Sequence, residues 1–197
     1  MILIVGHKGV MGRRYSCILN YLGKKWIGTD IDGPTQEFQS KDISGIIIAT
    51  PTETHAALIK VYAEFGKPIL AEKPICKDLN QLKEVLYAVK DIPFEMVYQY
   101  KQIARLGDGP SHYNYWNHGR DGLHYDCIQI IGLARGPVEL AEDSPIWDCR
   151  INGDFLFIEQ MDFAYVSMIK NWLKKPGMDL NEIYAIHEKV HDMVKSA

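Results

Sequence analysis

The chain has 197 residues, 47% of them hydrophobic and 24% charged, with a formal net charge of −3. That length allows a substantial core, as one domain or a compact pair of lobes, and the charge gives no electrostatic case for nucleic acid or an anionic membrane. No apolar run approaches the ~20 residues of a membrane span, Met1 leads directly into a strand with no signal-peptide pattern, and the four cysteines (Cys17, Cys76, Cys127, Cys149) lack CxxC pairing, so a reduced, cytoplasmic setting is expected.

Ile2-Leu-Ile-Val5 is a buried-strand pattern, followed at once by Gly6-His-Lys-Gly9-Val-Met-Gly12 and a helical stretch from about Val10 to Leu22. The spacing is GxxGxxG, a variant of the dinucleotide fingerprint. Gly6 allows the tight turn, Gly9 lets the backbone approach a pyrophosphate, and Gly12 lets helix and strand pack closely. Unpaired N–H groups at the helix start favour phosphates, so Gly6, Lys8, Gly9, Val10, Met11 and Gly12 form the candidate cradle. The next strand, Lys25–Thr29, ends in Asp30, placed to accept hydrogen bonds from an adenosine ribose. A carboxylate there repels a 2′-phosphate and favours NAD over NADP. Three glycines near a chain start also make a plain tight turn; strand, helix and acid together favour the cofactor.

Ser44–Thr50 is an apolar strand running into Pro51-Thr-Glu-Thr-His55, with a helix from about Glu53 to Phe65 closed by Gly66. Pro68–Ala71 is the next strand and ends at Glu72-Lys73-Pro74; Asp78 with Gln81 then reads as a capping box for a helix to about Lys90. Phe94–Tyr100 is a fifth strand. This alternation predicts an α/β fold with a parallel Rossmann-type sheet over residues 1–100. The interval between Asp30 and the Ile46 strand is too short for a helix and a further strand, so the sheet is trimmed and one crossover is reduced to a loop or single helical turn.

The ordered set of GxxGxxG, Asp30, Ala49-Thr-Pro-Thr-Glu-Thr-His55 and Ala71-Glu-Lys-Pro74 resembles the glucose-fructose oxidoreductase and inositol dehydrogenase (Gfo/Idh/MocA) family. The resemblance covers residues 1–100 strongly and the remainder weakly. It implies an NAD(P)-dependent oxidoreductase of a sugar, cyclitol or sugar derivative, with Thr50, Pro51, Thr52 and His55 lining the cofactor, Glu72 near its ribose, a cis Lys73–Pro74 peptide, and Lys73 as the substrate-binding and catalytic lysine. On the residues alone, a lysine beside a proline at a strand end is also an ordinary solvated charge. Oxidising a carbinol moves hydride to nicotinamide while the hydroxyl proton leaves, so the site needs a base and an oxygen-binding donor. The resemblance implies that His124 is the partner of Lys73. Relatives often place an aspartate four residues before that histidine, whereas Arg120 stands there and Asp121 is three before it. Asp121 and Asp126 both stay open as the assisting acid, and a half-buried or capping His124 stays open too.

The second half, residues 101–197, is expected to be a small α+β domain with a reduced antiparallel sheet for substrate binding and oligomerisation. Asn152-Gly153 is a type I′ hairpin signal that sets Trp147 opposite Ile158, Cys149 opposite Leu156 and Ile151 opposite Asp154, with a possible third strand near Val138–Ala141. So few strands cannot cover both faces, which predicts a homo-oligomer. Two helices follow, about Asp162–Lys174 and one capped by Asp179; their order resembles the end of full-length relatives and leads to the expectation of an internally shortened chain.

His187-Glu-Lys-Val-His191 fits HExxH, yet only six residues follow it and none is His or Glu. A zinc site therefore lacks its usual third ligand, and the motif reads as a chance match on an amphipathic helix, with no metal expected. Tyr98, Tyr100, Trp116 and Asn117, with Lys73 and His124, are the candidate substrate residues, because aromatic faces and amides suit a polyhydroxylated ring; singly, each also suits a core or turn position. Two functions stay open: an NAD-dependent sugar-type dehydrogenase, and a catalytically weak nucleotide-binding protein with a regulatory or assembly role.

Overall fold

Runs of Ile, Leu and Val without polar alternation are the pattern of strands buried on both faces of a parallel sheet. The computed structural model describes residues 1–76, 78–104, 110–115, 124–142, 148–156 and 160–195. Its first sheet contains β1 (Ile2–Val5), β2 (Trp26–Asp30), β3 (Gly33–Pro34), β4 (Gly45–Ile48), β5 (Ile69–Ala71) and β6 (Phe94–Met96), in the order β3-β2-β1-β4-β5-β6. All pairs are parallel except the two-residue β3 on β2. Every residue of β1, β4 and β5 is buried, and each such Ile or Leu contributes about 1.5–3 kcal/mol relative to an exposed position.

The order reverses between β1 and β4, so the crevice for a ligand opens where the turns after these strands diverge. The crossovers run through α1 (Val10–Tyr21), α2 (Thr52–Ala63) and α3 (Leu79–Ala88). Asp78 starts α3 by accepting from the N–H groups of Asn80 and Gln81, at 2.6 and 3.3 Å. The expected reduced crossover after Asp30 consists of β3 and one 3-10 turn, Ser40–Asp42.

Two expectations need correction. The fifth strand ends at Met96, not Tyr100, and Gln99–Gln102 is a 3-10 turn. Among the described residues this strand pairs with β5 alone, which stops at Ala71 opposite Met96, and the ladder there ends with the Val97 N–H bond to the Ala71 carbonyl. Among the described residues the second sheet has four strands, β7 (Ser111–Tyr115), β8 (Val138–Glu142), β9 (Asp148–Ile151) and β10 (Asp154–Leu156), in the order β10-β9-β7-β8. It is mixed, since β7 pairs parallel with β8 and antiparallel with β9. The β7–β8 crossover is α4 (His124–Leu133), which packs on both strands.

The β9–β10 hairpin has the predicted register, Cys149 opposite Leu156 and Ile151 opposite Asp154. Asn152 and Gly153 have φ of 53° and 88°, as the turn type requires. The Asn152 side chain also closes α4: its Oδ1 accepts from the Arg135 N–H at 2.8 Å and its Nδ2 donates to the Leu133 carbonyl at 3.1 Å. Trp147 and Ile158 lie outside the described residues.

The terminal helices are α5 (Met161–Lys174) and α6 (Leu180–Lys195). The chain divides into one compact unit of residues 1–97 with 171–183 and a second of 98–170 with 184–197. The physical reason for the return segment is Trp172, 2% exposed, whose ring lies where a side chain at Gly45 would project. Met178 N–H then donates to the Phe94 carbonyl at 2.8 Å. Within the second unit the HExxH stretch is a packing surface: His187 and Val190 are buried, and Lys189 Nζ donates to the Ile131 and Ala134 carbonyls at the end of α4. Among the described residues, no helix is long and apolar enough to cross a membrane.

Candidate functional site

In the first unit, the glycine turn is set by contacts that exclude side chains. Gly6 has φ +85° and donates its N–H to the Thr29 carbonyl at 2.8 Å; a Cβ there would lie 2.7 Å from the Ala49 carbonyl oxygen. At Gly12 a Cβ would lie 2.1 Å from the Gly6 carbonyl oxygen, so α1 and the turn touch backbone to backbone. Gly9 differs: a Cβ would meet only ordinary contacts, the nearest at 3.4 Å. Gly9 caps α1 with no side-chain hydrogen bond and no acidic residue in the first turn. The first-turn amides, which have no intrahelical acceptor, present positive charge.

Val10 is exposed and Met11 half-buried at this helix start. The Lys8 ammonium pairs with Asp32 and holds the Asp32 carboxyl below the usual carboxylate range. Arg13 Nε donates to the Lys8 carbonyl at 2.8 Å and braces the turn from behind.

Asp30 ends β2 beside this turn. The Ile31 N–H reaches its Oδ1 at 2.9 Å and the Lys8 N–H its Oδ2 at 3.0 Å. These two amides, the Ile31 one first, hold the Asp30 carboxyl below its ordinary range. Each oxygen keeps a lone pair for a further donor, so the carboxylate has room for two more hydrogen bonds. Ile31 beside it is fully exposed.

The loop after β4 is closed on itself by Thr54 and joined to the loop after β5 by a buried histidine. Thr54 Oγ1 lies 2.7 Å from the Pro51 carbonyl and 2.8 Å from the Thr50 hydroxyl, and Thr52 opens α2. His55 is 1% exposed, with Nδ1 2.8 Å from the Pro74 carbonyl and Nε2 2.8 Å from the Thr50 carbonyl. Its ring therefore sits behind the loops and joins them. Glu72 is also buried: Tyr15 donates its hydroxyl to Oε1 at 2.5 Å and the Lys73 N–H reaches Oε2 at 3.2 Å. Lys73 is half-buried at the end of β5, and its peptide to Pro74 is cis.

Tyr15 is absent from the sequence-derived site because its partner is 57 positions away. The visible signal was its place on the buried stripe of α1 with Gly12, Ile18 and Leu19, which indicates packing and not a hydroxyl's acceptor. His7 was missed as well; it sits between Gly6 and Lys8 with its ring over Gly28.

In the second unit, Tyr98 and Tyr100 are 3% and 7% exposed. A Cβ at Gly132 would lie 2.3 Å from the Tyr98 hydroxyl, so that ring is part of the packing on α4. His124 is the first residue of α4 instead of preceding it. Trp116, Asn117 and Asp121 lie outside the described residues.

Residues 27–92 match an oxidoreductase family described by an NAD-binding Rossmann fold. An inositol 2-dehydrogenase of Rhizobium meliloti (strain 1021) is 46% identical over 50 residues, which are 25% of this chain and 15% of that protein. The match thus spans about one seventh of that relative's length. The fold is similar to a myo-inositol dehydrogenase from Corynebacterium glutamicum (TM-score 0.71, 13% identity, covering 100% of this chain and 96% of that one). It is also similar to the WlbA (WbpB) dehydrogenase from Thermus thermophilus in complex with NAD and UDP-GlcNAcA (TM-score 0.70, 12% identity, 98% and 94% covered).

Proposed function

We propose that this chain is a member of the Gfo/Idh/MocA family of NAD-binding oxidoreductases, whose model matches residues 27–92, and an NAD-dependent dehydrogenase acting on a carbinol or carbonyl of a sugar, cyclitol or sugar derivative. The observation that carries this reading is the Asp30 carboxylate, held ionised by two amides beside a glycine turn whose Cβ positions are closed at Gly6 and Gly12. These residues fit a dinucleotide: the α1 start takes the diphosphate, and Asp30 takes ribose hydroxyls and disfavours a 2′-phosphate. Bound NAD supplies a hydride acceptor at its nicotinamide ring.

The remaining work falls to side chains. Lys73 donates a hydrogen bond to the reacting oxygen and helps move its proton, and the family resemblance offers His124 as the second acid–base residue. Thr50 and Pro51 line the cofactor, while His55 and Glu72 hold the two loops from behind. A cyclic polyol as substrate is supported by the naming of the aligned relative as an inositol 2-dehydrogenase and by the sugar nucleotide in the structurally similar complex.

The test is NADH formation at 340 nm over a panel of sugars and cyclitols. NAD binding without turnover on any of them is the outcome that favours a binding or regulatory protein instead. Asp30→Ala is expected to weaken NAD by about 10–100-fold, the range for hydrogen bonds to a charged group, and to narrow the preference over NADP. Tighter NAD binding by that variant removes the ribose contact from the scheme. The second sheet has α4 on β7 and β8, and we infer that a second copy covers more of it. Light scattering at micromolar concentration should give a mass above the 22.5 kDa of one chain; a monomer alone rejects this.

A further inference from the structure

Gly28 is the one position of β2 with no side chain, and the reason is His7: a Cβ at Gly28 would lie 2.3 Å from Cγ and 2.6 Å from Nδ1 of that imidazole. The strand gives up a side chain to seat the ring on the face that Trp26 and Asp30 share, by the alternation of a strand. The Trp26 ring flanks it at 6.4 Å between centroids. Ring packing alone does not account for a histidine. Nδ1 is buried and has no hydrogen-bond partner among the described residues, although a buried polar atom left unpaired costs stability. Asp30 Oδ2 lies 3.9 Å from it, too far for a direct bond. A gap of that length between two polar atoms suits one bridging group.

We propose that His7 is the second arm of the ribose site, with one ribose hydroxyl shared between Asp30 Oδ2 and His7 Nδ1. The inference rests on the NAD reading above. A hydroxyl has one donor and two acceptor lone pairs. It donates to the carboxylate oxygen that the Lys8 amide already orients, and accepts from the N–H at Nδ1. The ligand class is therefore a ribonucleotide, and the discriminating group is its hydroxyl. Gly28 and His7 form one device, since any side chain at Gly28 displaces the ring from Asp30.

Calorimetric dissociation constants test this without turnover. His7→Phe fills the space over Gly28 and removes both nitrogens; it is expected to weaken NAD about tenfold, the size of one hydrogen bond at a ligand. His7→Asn places an amide near the Nδ1 position and should recover most of that loss, whereas His7→Gln, which reaches toward the Nε2 position, should not. With 2′-deoxy-NAD or 3′-deoxy-NAD, whichever lacks the shared hydroxyl, wild type and His7→Phe should bind equally. Equal binding of NAD by wild type and His7→Phe overturns the role of His7 while the NAD reading stands. A loss of the same size with NAD and both deoxy analogues also overturns it, because the ring is then only packing. Failure of wild type to bind NAD overturns both.

Discussion

Lys73→Ala is expected to lower turnover by about 10²–10⁴-fold, the range for a positioned acid–base group, while NAD affinity changes by no more than a few-fold. The separation follows from how the loop after β5 is built. Its backbone is held by Glu72, which takes the Lys73 N–H on one oxygen and the Tyr15 hydroxyl on the other, and by His55, whose ring reaches the Pro74 carbonyl. None of these ties uses the Lys73 side chain. Truncation at Cβ should leave the loop in place and the melting temperature close to wild type, as for a partly exposed position outside the core. Tyr15→Phe is the contrasting change: it strips a buried carboxylate of a donor and should cost about 1–3 kcal/mol of stability. Unchanged turnover in Lys73→Ala, measured at 340 nm on a substrate of the wild type, removes the lysine from the reaction.

The first sheet was legible because its information is local. Unbroken apolar runs in β1, β4 and β5 are separated by glycine, proline and a capping aspartate, so each boundary has a nearby chemical cause. β7 was not legible: Ser111-His-Tyr-Asn-Tyr115 has no apolar period, and it is a strand because β8 and β9 pair with it on either side. The division of the chain was hidden for the same kind of reason, since the contact of Trp172 with Gly45 crosses 127 positions. In the candidate site, the glycines, Asp30 and the Lys73 triplet are marked by their spacing alone. His55 could be found but its direction could not. The motif put it beside the cofactor, and the fold turns it inward onto two carbonyls. Tyr15 and His7 carry no local mark, because each is defined by a carboxylate brought near it from a distant part of the chain.

The last two glycines of the fingerprint should separate folding from binding. In Gly12→Ala the new Cβ falls 2.1 Å from the Gly6 carbonyl oxygen and 2.6 Å from His7 Cα. Both are backbone atoms, so α1 must move away from the turn. Alanine favours the helix by about 1 kcal/mol over glycine, but overpacking of this kind costs typically 1–3 kcal/mol or more, and the turn it displaces also positions the Lys8 amide on Asp30. A fall in melting temperature of roughly 4–12 °C is expected, with NAD affinity lost alongside it. Gly9→Ala meets nothing closer than 3.4 Å and has an ordinary φ of −68°, so its melting temperature should stay within about 2 °C of wild type. Its methyl group nevertheless stands at the cap of α1, where a diphosphate approaches the amides, and NAD should bind about tenfold or more weakly. If Gly9→Ala binds NAD as wild type does, the diphosphate does not sit on this turn. If Gly12→Ala melts with wild type, the close contact of helix and turn is not what that glycine is for.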